Sequence, residues 1–140
     1  MVEGDPPSVS RLEELGRDEC LDLLAHGSYV GHIGFVHDGR PVILPVNYLF
    51  DSDGVVFRTS AGTQLSELDG AQVAFELDDN RPLVHSGWSV LAHGAVHRIS
   101  DENEMDRLRR GPLRAWAWRS ADLWFRMSID GISGRRIAED

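Results

Sequence analysis

Four groups of residues have types and spacings that can carry chemistry. The first is the run Arg58-Thr59-Ser60-Ala61-Gly62-Thr63-Gln64. It follows Val55-Val56-Phe57, an apolar run that reads as a buried strand, and it leads into a short helical turn near Gln64 and Leu65. Gly62 and Ala61 let a ligand approach the backbone, three hydroxyls can donate, and the first N–H groups of the following turn point outward. That combination suits an anion. Arg58 offers a positive charge and a planar donor fork. The same residues also suit a plain strand-to-helix connection whose hydroxyls cap and turn. The residues alone leave both readings open.

The second group is Pro45-Val46-Asn47-Tyr48, inside an otherwise strand-like segment. Pro45 cannot donate to a ladder, so this stretch belongs at a sheet edge or a bulge. A flat ligand lying along such an edge can use the exposed backbone and Asn47. An edge strand that merely carries a polar Asn is the alternative. The third group is the four tryptophans, Trp88, Trp116, Trp118 and Trp124. Trp116 and Trp118 stand in a loop beside Pro112 and Arg114, where they can close over an aromatic ligand or fill a subunit interface. The fourth group is six scattered histidines. His93 and His97 are four apart in an expected strand, hence about 13 Å apart at ~3.3 Å per residue, too far to share a metal. No metal site is expected. The chain has no GxSxG, P-loop or GxGxxG motif, so the common serine-hydrolase and nucleotide signatures are absent.

These residues are held by elements that read mostly as β. Apolar spacing over Leu12–Ala25 is helical, with Gly16 as N-cap, Leu15 and Cys20 placed as a hydrophobic staple, and Gly27 as a left-handed stop. Strands are expected at Tyr29–Val36, Pro41–Phe50 and Val55–Thr59, joined by the turns Asp38-Gly39 and Asp51–Gly54 as an antiparallel meander. Further strands are expected at Ala71–Asp78, Gly87–Ile99 with a bend at Gly94, and Asp122–Ser128. Ile129–Ile137 is a seventh strand or an extended tail. Asp101–Arg110 reads as a helix opened by a capping box of Asp101 and Glu104. The expected architecture is mainly β: a six- to seven-stranded antiparallel barrel with short peripheral helices. Residues 1–9 read as a flexible arm, and 10–140 as one domain.

Composition narrows the partners. The chain of 140 residues has a formal net charge of −9 and no lysine, all 14 basic residues being arginine. Acidity argues against nucleic acid or an anionic membrane as partner. The absence of lysine rules out Schiff-base chemistry. The single cysteine, Cys20, excludes an intrachain disulfide and reads as a small core residue. With no signal-like or membrane-length apolar run, a cytoplasmic protein is expected.

The segments DECLDLLA, GHIGFVHDGRPVILPVNYLFDSDGVVFRTSAGTQL, VAFELD, GWSVLAHGAVHRI and WFRMSIDGISGRRI occur in an order that resembles the pyridoxamine 5′-phosphate oxidase-like, FMN-binding split-barrel family, and within it the small bacterial, nitroimidazole-reductase-like branch. The resemblance implies a homodimer with FMN in a groove between subunits. It implies that Pro45, Val46, Asn47 and Tyr48 line the isoalloxazine ring. Arg58, Thr59, Ser60, Gly62, Thr63 and Gln64 then hold the ribityl phosphate, and Trp88 and Ser89 sit near the ring, from either subunit. Gln64 stands where the family often carries a lysine or arginine. The tail GISGRRIAED lacks the Arg-x-His motif with which true pyridoxamine-phosphate oxidases grip their substrate. The implied activity is therefore a flavin-dependent oxidoreduction of another small molecule, with Tyr48 or a histidine as the available proton donor. The same fold also serves deazaflavin coenzyme or heme. A non-catalytic flavin-binding or cofactor-free dimeric interaction protein is the reading from a different class.

Overall fold

A computed structural model describes residues 10–27, 29–81, 86–113 and 123–139. The expected arm at 1–9 and the loop bearing Trp116 and Trp118 lie outside them. The elements are β1 (Ser10–Leu15), α1 (Arg17–His26), β2 (Val30–His37), β3 (Arg40–Asn47), β4 (Leu49–Asp51), β5 (Gly54–Thr59), a 3-10 turn (Gln64–Glu67), β6 (Gln72–Arg81), β7 (Ser86–Ile99), α2 (Glu102–Arg109), β8 (Leu123–Ser128) and β9 (Gly131–Glu139). The fold is mainly β and antiparallel, with the two short helices on the periphery. The main path of pairing runs β3-β2-β6-β7-β8-β5-β4, and β9 pairs with both β7 and β1.

Strand β7 organises the barrel because it belongs to both of its halves. Its first part, Gly87–His93, pairs with β9, and Ser86–Ala95 pairs with β6. Its last part, Val96–Ile99, pairs with β8. The switch happens at Gly94, as the sequence suggested. A Cβ there would overlap the Ser128 carbonyl oxygen, so only glycine lets the two strands cross so closely. We call the half containing β3, β2, β6, β7, β9 and β1 sheet A, and the half containing β7, β8, β5 and β4 sheet B.

The main core lies inside the curl and includes Ile33, Val55, Phe57, Phe75, Leu77, Val90, Phe125 and Met127. Phe57 stacks on Phe125 with ring centroids 5.5 Å apart. A smaller core of Val56, Ile99, Leu108, Leu113 and Trp124 lies between sheet B and α2. Each fully buried side chain of this size contributes roughly 1.5–3 kcal/mol. Cys20 is buried in the main core, and burial raises its thiol pKa, as a packing role requires.

Several expectations are corrected. The helix over Leu12–Ala25 is a strand followed by a helix: Ser10–Leu15 pairs along its length with Gly134–Glu139, and α1 begins only after Gly16. Pairing with β9 satisfies that backbone, and short-range spacing could not reveal it. Gly27 is extended, with φ −80°, rather than left-handed. Its role is room, since a Cβ would come within 2.5 Å of Leu77 Cδ2. The strand over Pro41–Phe50 breaks at Tyr48, whose N–H donates to the Tyr29 carbonyl. β3 therefore stays in sheet A and β4 goes to sheet B. The three-strand meander is not formed: β5 pairs with β4 and β8. β6 runs on to Arg81, beyond Asp78. Asp101 is the N-cap of α2 but makes no side-chain cap bond. Glu104 instead reaches Arg126, at 2.6 Å.

Candidate functional site

The loop after β5 is open and polar. Ala61, Gly62, Thr63 and Gln64 are exposed. Gly62 has φ +83° with nothing near its Cβ direction, so glycine serves the turn here. The hydroxyls are already organised. Thr63 Oγ1 donates to the Ser60 carbonyl at 2.9 Å. The 2.7 Å bond between Thr59 Oγ1 and Thr63 Oγ1 must then be donated by Thr59. Both protons are spent on the shape of the loop, and each reaches a ligand only by leaving its present acceptor. The turn that follows is a single 3-10 turn without a side-chain cap. His37 Nδ1 stands 3.5 Å from Glu67, which ties this turn to the β2–β3 hairpin.

Arg58 does not share that surface. Successive side chains of a strand face opposite ways. Thr59 turns toward the loop, while Arg58 lies over the Trp124 ring at 4.4 Å and donates to the Leu113 carbonyl at 3.4 Å. This is the side of sheet B that α2 covers.

The second segment is an edge, as Pro45 implied. Among the described strands β3 pairs with β2 alone, at the end of the main path of pairing, which is an edge position. Along it the side chains alternate: Pro45 is exposed, Val46 buried, Asn47 half-buried and Tyr48 buried. Val46 and Tyr48 belong to the core. The Tyr48 ring packs edge-on against Phe75, with centroids 4.9 Å apart. Its hydroxyl donates to the Leu24 carbonyl at 2.8 Å, and burial pushes its pKa up to about 12. Tyr48 is thus held neutral and fastened to α1. What this segment offers a ligand is its backbone edge, Pro45 and Asn47.

Trp88 and Ser89 are neighbours on β7 that face opposite sides. Ser89 lies opposite Asp78 and Arg135, on the outer face of sheet A that also carries Pro45 and Asn47. Trp88 lies opposite Asp79 and Arg136, packs against the core, and borders a cavity of about 590 Å³ shared with Leu23, His26 and Asp79. Another cavity, of about 280 Å³, lies beside it between Leu12, Asn80, Ser89, Arg135 and Ile137. The hydroxyl loop is remote from both. Arg58 aligns through Trp124 with Ile99, at the far end of β7 from Trp88. Ile99 lies eleven positions along the strand from Trp88, roughly 36 Å of chain at ~3.3 Å per residue. Within one copy the loop and Trp88 lie toward opposite ends of β7.

A further cluster escaped the sequence reading. On the outer face of sheet A, the cross-strand row Pro45, His32, Glu76, Leu91, Ser133 is set by the pairings of five strands. His32 Nδ1 stands 3.4 Å from Glu76 Oε1, and Asp78 lies two residues along β6 on the same face. Glu76 is pushed up to about 7, first by burial, then by its hydrogen bond to Asp78 and the charge there, with His32 pulling the other way. One signal was present. Glu76 and Asp78 alternate with Phe75 and Leu77, which places both carboxyls on the face away from the core. The partner strands bearing His32 could not be read.

The comparisons agree with this architecture. The chain is 33% identical over 141 residues to the uncharacterized protein Rv0080 of Mycobacterium tuberculosis, covering 96% of this chain and 91% of that one. It superimposes on the FAD binding protein from Mycobacterium smegmatis with a TM-score of 0.77 at 33% identity, covering 89% and 98% of the two chains. The FAD and heme binding protein from the same organism has a similar fold, with a TM-score of 0.68, 23% identity and coverage of 87% and 72%. The family model described as pyridoxamine 5′-phosphate oxidase matches residues 16–136, and the chain belongs to that family.

Proposed function

We propose that the protein binds a flavin nucleotide in a site completed by a second copy of the chain, and that it acts as a flavin-dependent oxidoreductase on a small molecule. The observation that carries this reading is the division of the site. The open hydroxyl loop suits a phosphate, and the edge strand β3 with Pro45 and Asn47 suits a flat ring. Trp88 and the cavities beside it lie at the other end of β7. Two antiparallel copies would bring one loop to the other copy's Trp88. The flavin would supply the redox chemistry, and the chain would supply binding and orientation. FMN matches the single phosphate cradle. The likeness to the FAD binding protein from Mycobacterium smegmatis favours FAD, whose larger dinucleotide would also need one of the cavities beside Trp88.

The first test is the visible spectrum of the purified protein, followed by titration with FMN and with FAD. Saturable binding at micromolar concentration or below supports the reading, and the tighter of the two identifies the nucleotide. A heme or deazaflavin spectrum would move the function while keeping the fold. Gln64→Arg restores a cation beside the loop and should tighten the flavin about five- to tenfold, as a charge-assisted hydrogen bond of ~1–1.5 kcal/mol does. Thr63→Ala should weaken it. If neither substitution changes affinity, the phosphate does not sit there. Anaerobic reduction of the bound flavin by NAD(P)H or a reduced-flavin partner separates an enzyme from a flavin store.

A further inference from the structure

An oxidoreduction that takes up a proton needs a donor near the ring-binding edge of β3. Tyr48 does not serve, because its buried hydroxyl donates to the Leu24 carbonyl and its pKa is pushed up to about 12. Among the described histidines, His26 is held by Asp22 on α1, and His37 stands between Asp38 and Glu67. His97 lies opposite Arg126 on sheet B. His93 is on β7, three strands away from β3. His32 is the direct cross-strand neighbour of Pro45. Paired residues share a face at roughly 5 Å between Cα atoms, so His32 stands beside the segment proposed to hold the ring.

His32 is backed by an acid. Its Nδ1 stands 3.4 Å from Glu76 Oε1, and half of its side chain is exposed. That engages one ring nitrogen and leaves Nε2 as the other. The groups facing Glu76 can be taken strand by strand. β6 contributes Asp78, whose carboxyl bonds to that of Glu76, and β2 contributes His32. β7 places Leu91 opposite, with Ser89 and His93 on the diagonals. β9 places Ser133 beyond Leu91 and Arg135 beyond Ser89. β1 sets Glu14 against Arg135, so that arginine already faces a carboxylate. β3 contributes Pro45 and Asn47, neither charged. Two adjoining carboxyls hold one proton between them more readily than they both ionise. Burial first, then Asp78, push Glu76 up to about 7, so a proton is kept beside His32 at neutral pH.

We infer that His32 is the proton donor of the proposed reaction, resupplied by the Glu76–Asp78 carboxyl pair behind it. This rests on the flavin site proposed at Pro45 and Asn47. The substrate class that profits takes a hydride at one atom and a proton at another, as a quinone does, rather than bare electrons. The hydride comes from the reduced flavin, which is left oxidised. The proton comes from His32 Nε2 as Nδ1 receives one from the Glu76 carboxyl, so the imidazole is neutral before and after. Water then returns a proton to the carboxyl pair. His32 touches the substrate, and Glu76 acts through it.

The test uses the flavin-loaded protein, reduced anaerobically and mixed by stopped flow with menadione or with ferricyanide. Menadione takes up protons with its electrons, and ferricyanide takes electrons only. His32→Gln should slow reoxidation by menadione about a hundredfold, the scale of a lost general acid, and leave ferricyanide within about twofold. His32→Asn replaces it should that variant not fold. The wild-type menadione rate should fall as pH rises through about 7, and that break should move or vanish in Glu76→Gln, or in Asp78→Asn should Glu76→Gln not fold. A readout apart from turnover is nitrogen NMR of the His32 ring, which should shift when FMN or FAD is titrated into the flavin-free chain. A ring signal that flavin leaves in place overturns this inference and lets the flavin site stand. So does equal slowing of both acceptors, a menadione rate unchanged in His32→Gln, a pH break that survives in the carboxyl variants, or a wild type that reduces ferricyanide and not menadione. A chain that binds neither FMN nor FAD overturns both.

Discussion

The two outer faces of the barrel solve the same problem in opposite ways. Each carries carboxylates on strands that point away from the main core. On sheet B the carboxylate is Asp51. Arg107 of α2 grips it with two bonds of 2.9 Å, and Arg126 of β8 adds one of 2.8 Å. Arg126 also reaches Glu104 of α2. These bonds, Arg107 first, hold the Asp51 carboxyl down at about 2. On sheet A, Glu76 has Asp78 for a neighbour and a histidine in place of arginines, and it is pushed up to about 7. The difference lies in what covers the face. The chain lays its own helix α2 on sheet B, and Leu108 of that helix seals Ile99 and Trp124 beneath it. The corresponding surface of sheet A leaves Val36 and Ile43 exposed. One face is finished within the chain, and the other leaves apolar side chains on its surface.

The comparison depends on β7 serving both halves, so the largest effect is expected at its bend. Gly94→Ala puts a methyl group into the Ser128 carbonyl. Backbone cannot yield as a side-chain tip can, and the loss should be about 4 kcal/mol or more. Loss of the cooperative transition in urea, or failure to fold, is the expected outcome. A variant with wild-type stability would mean that the two strands do not cross there.

Next comes the finished face. Asp51→Ala leaves Arg107 and Arg126 without their shared carboxylate, and Asp51 and Arg126 are only 18% and 20% exposed. Removing one partner of such a group costs about 3 kcal/mol. The pH dependence has a definite sign. Because the folded pKa lies below the unfolded one, Asp51 stabilises fully above about pH 4, and that contribution is lost as pH falls toward 2. Acid titration of stability should therefore be steep in the wild type and shallower in Asp51→Ala.

The bare face should behave in reverse, with a smaller amplitude. The Glu76 pKa is higher in the folded state than in the unfolded one. Its contribution is fully present below about pH 4.5 and is lost as pH rises through about 7. The side chain is 35% exposed, so screening by water holds the effect to about 1 kcal/mol or less. Glu76→Gln should flatten stability between pH 5 and 8. If it instead steepens the curve, the carboxyl pair is not what sets the titration.

How much of this was legible varies with the range of the interaction. The turns were, because Asp38 and Gly39 adopt φ values of 50° and 73°, and Ser52 and Asp53 of 51° and 58°, positions that Asp, Ser and Gly tolerate. The edge character of β3 was legible from Pro45, and the bend of β7 from Gly94. The first strand was not, because Ser10–Leu15 pairs with the other end of the chain and its local spacing fits a helix equally well. At the candidate site the loop and the edge could be read from residue type. Their separation from Trp88 could not, since it depends on the register of β5 with β8 and β8 with β7. The placement of Arg58 was within reach. Two-residue periodicity already puts it on the face opposite Thr59.

The smallest expected effect on folding discriminates best between the faces. Val36→Ser combined with Ile43→Ser removes the two most exposed apolar side chains of sheet A. Neither buries much surface within one chain, so the urea unfolding energy of the dissociated chain should change by less than about 0.5 kcal/mol. The equivalent insult at sheet B is Leu108→Ser on the buried side of α2, where the side chain is 1% exposed. It should cost about 3 kcal/mol or more, through the cavity and the buried hydroxyl together. If sheet A is finished by a second copy, the double serine variant should also sediment as a monomer at concentrations where the wild type is dimeric, and its flavin affinity should fall with it. Unchanged association would place the partner surface elsewhere. A loss of stability as large as that of Leu108→Ser would mean that Val36 and Ile43 are covered by residues of their own chain.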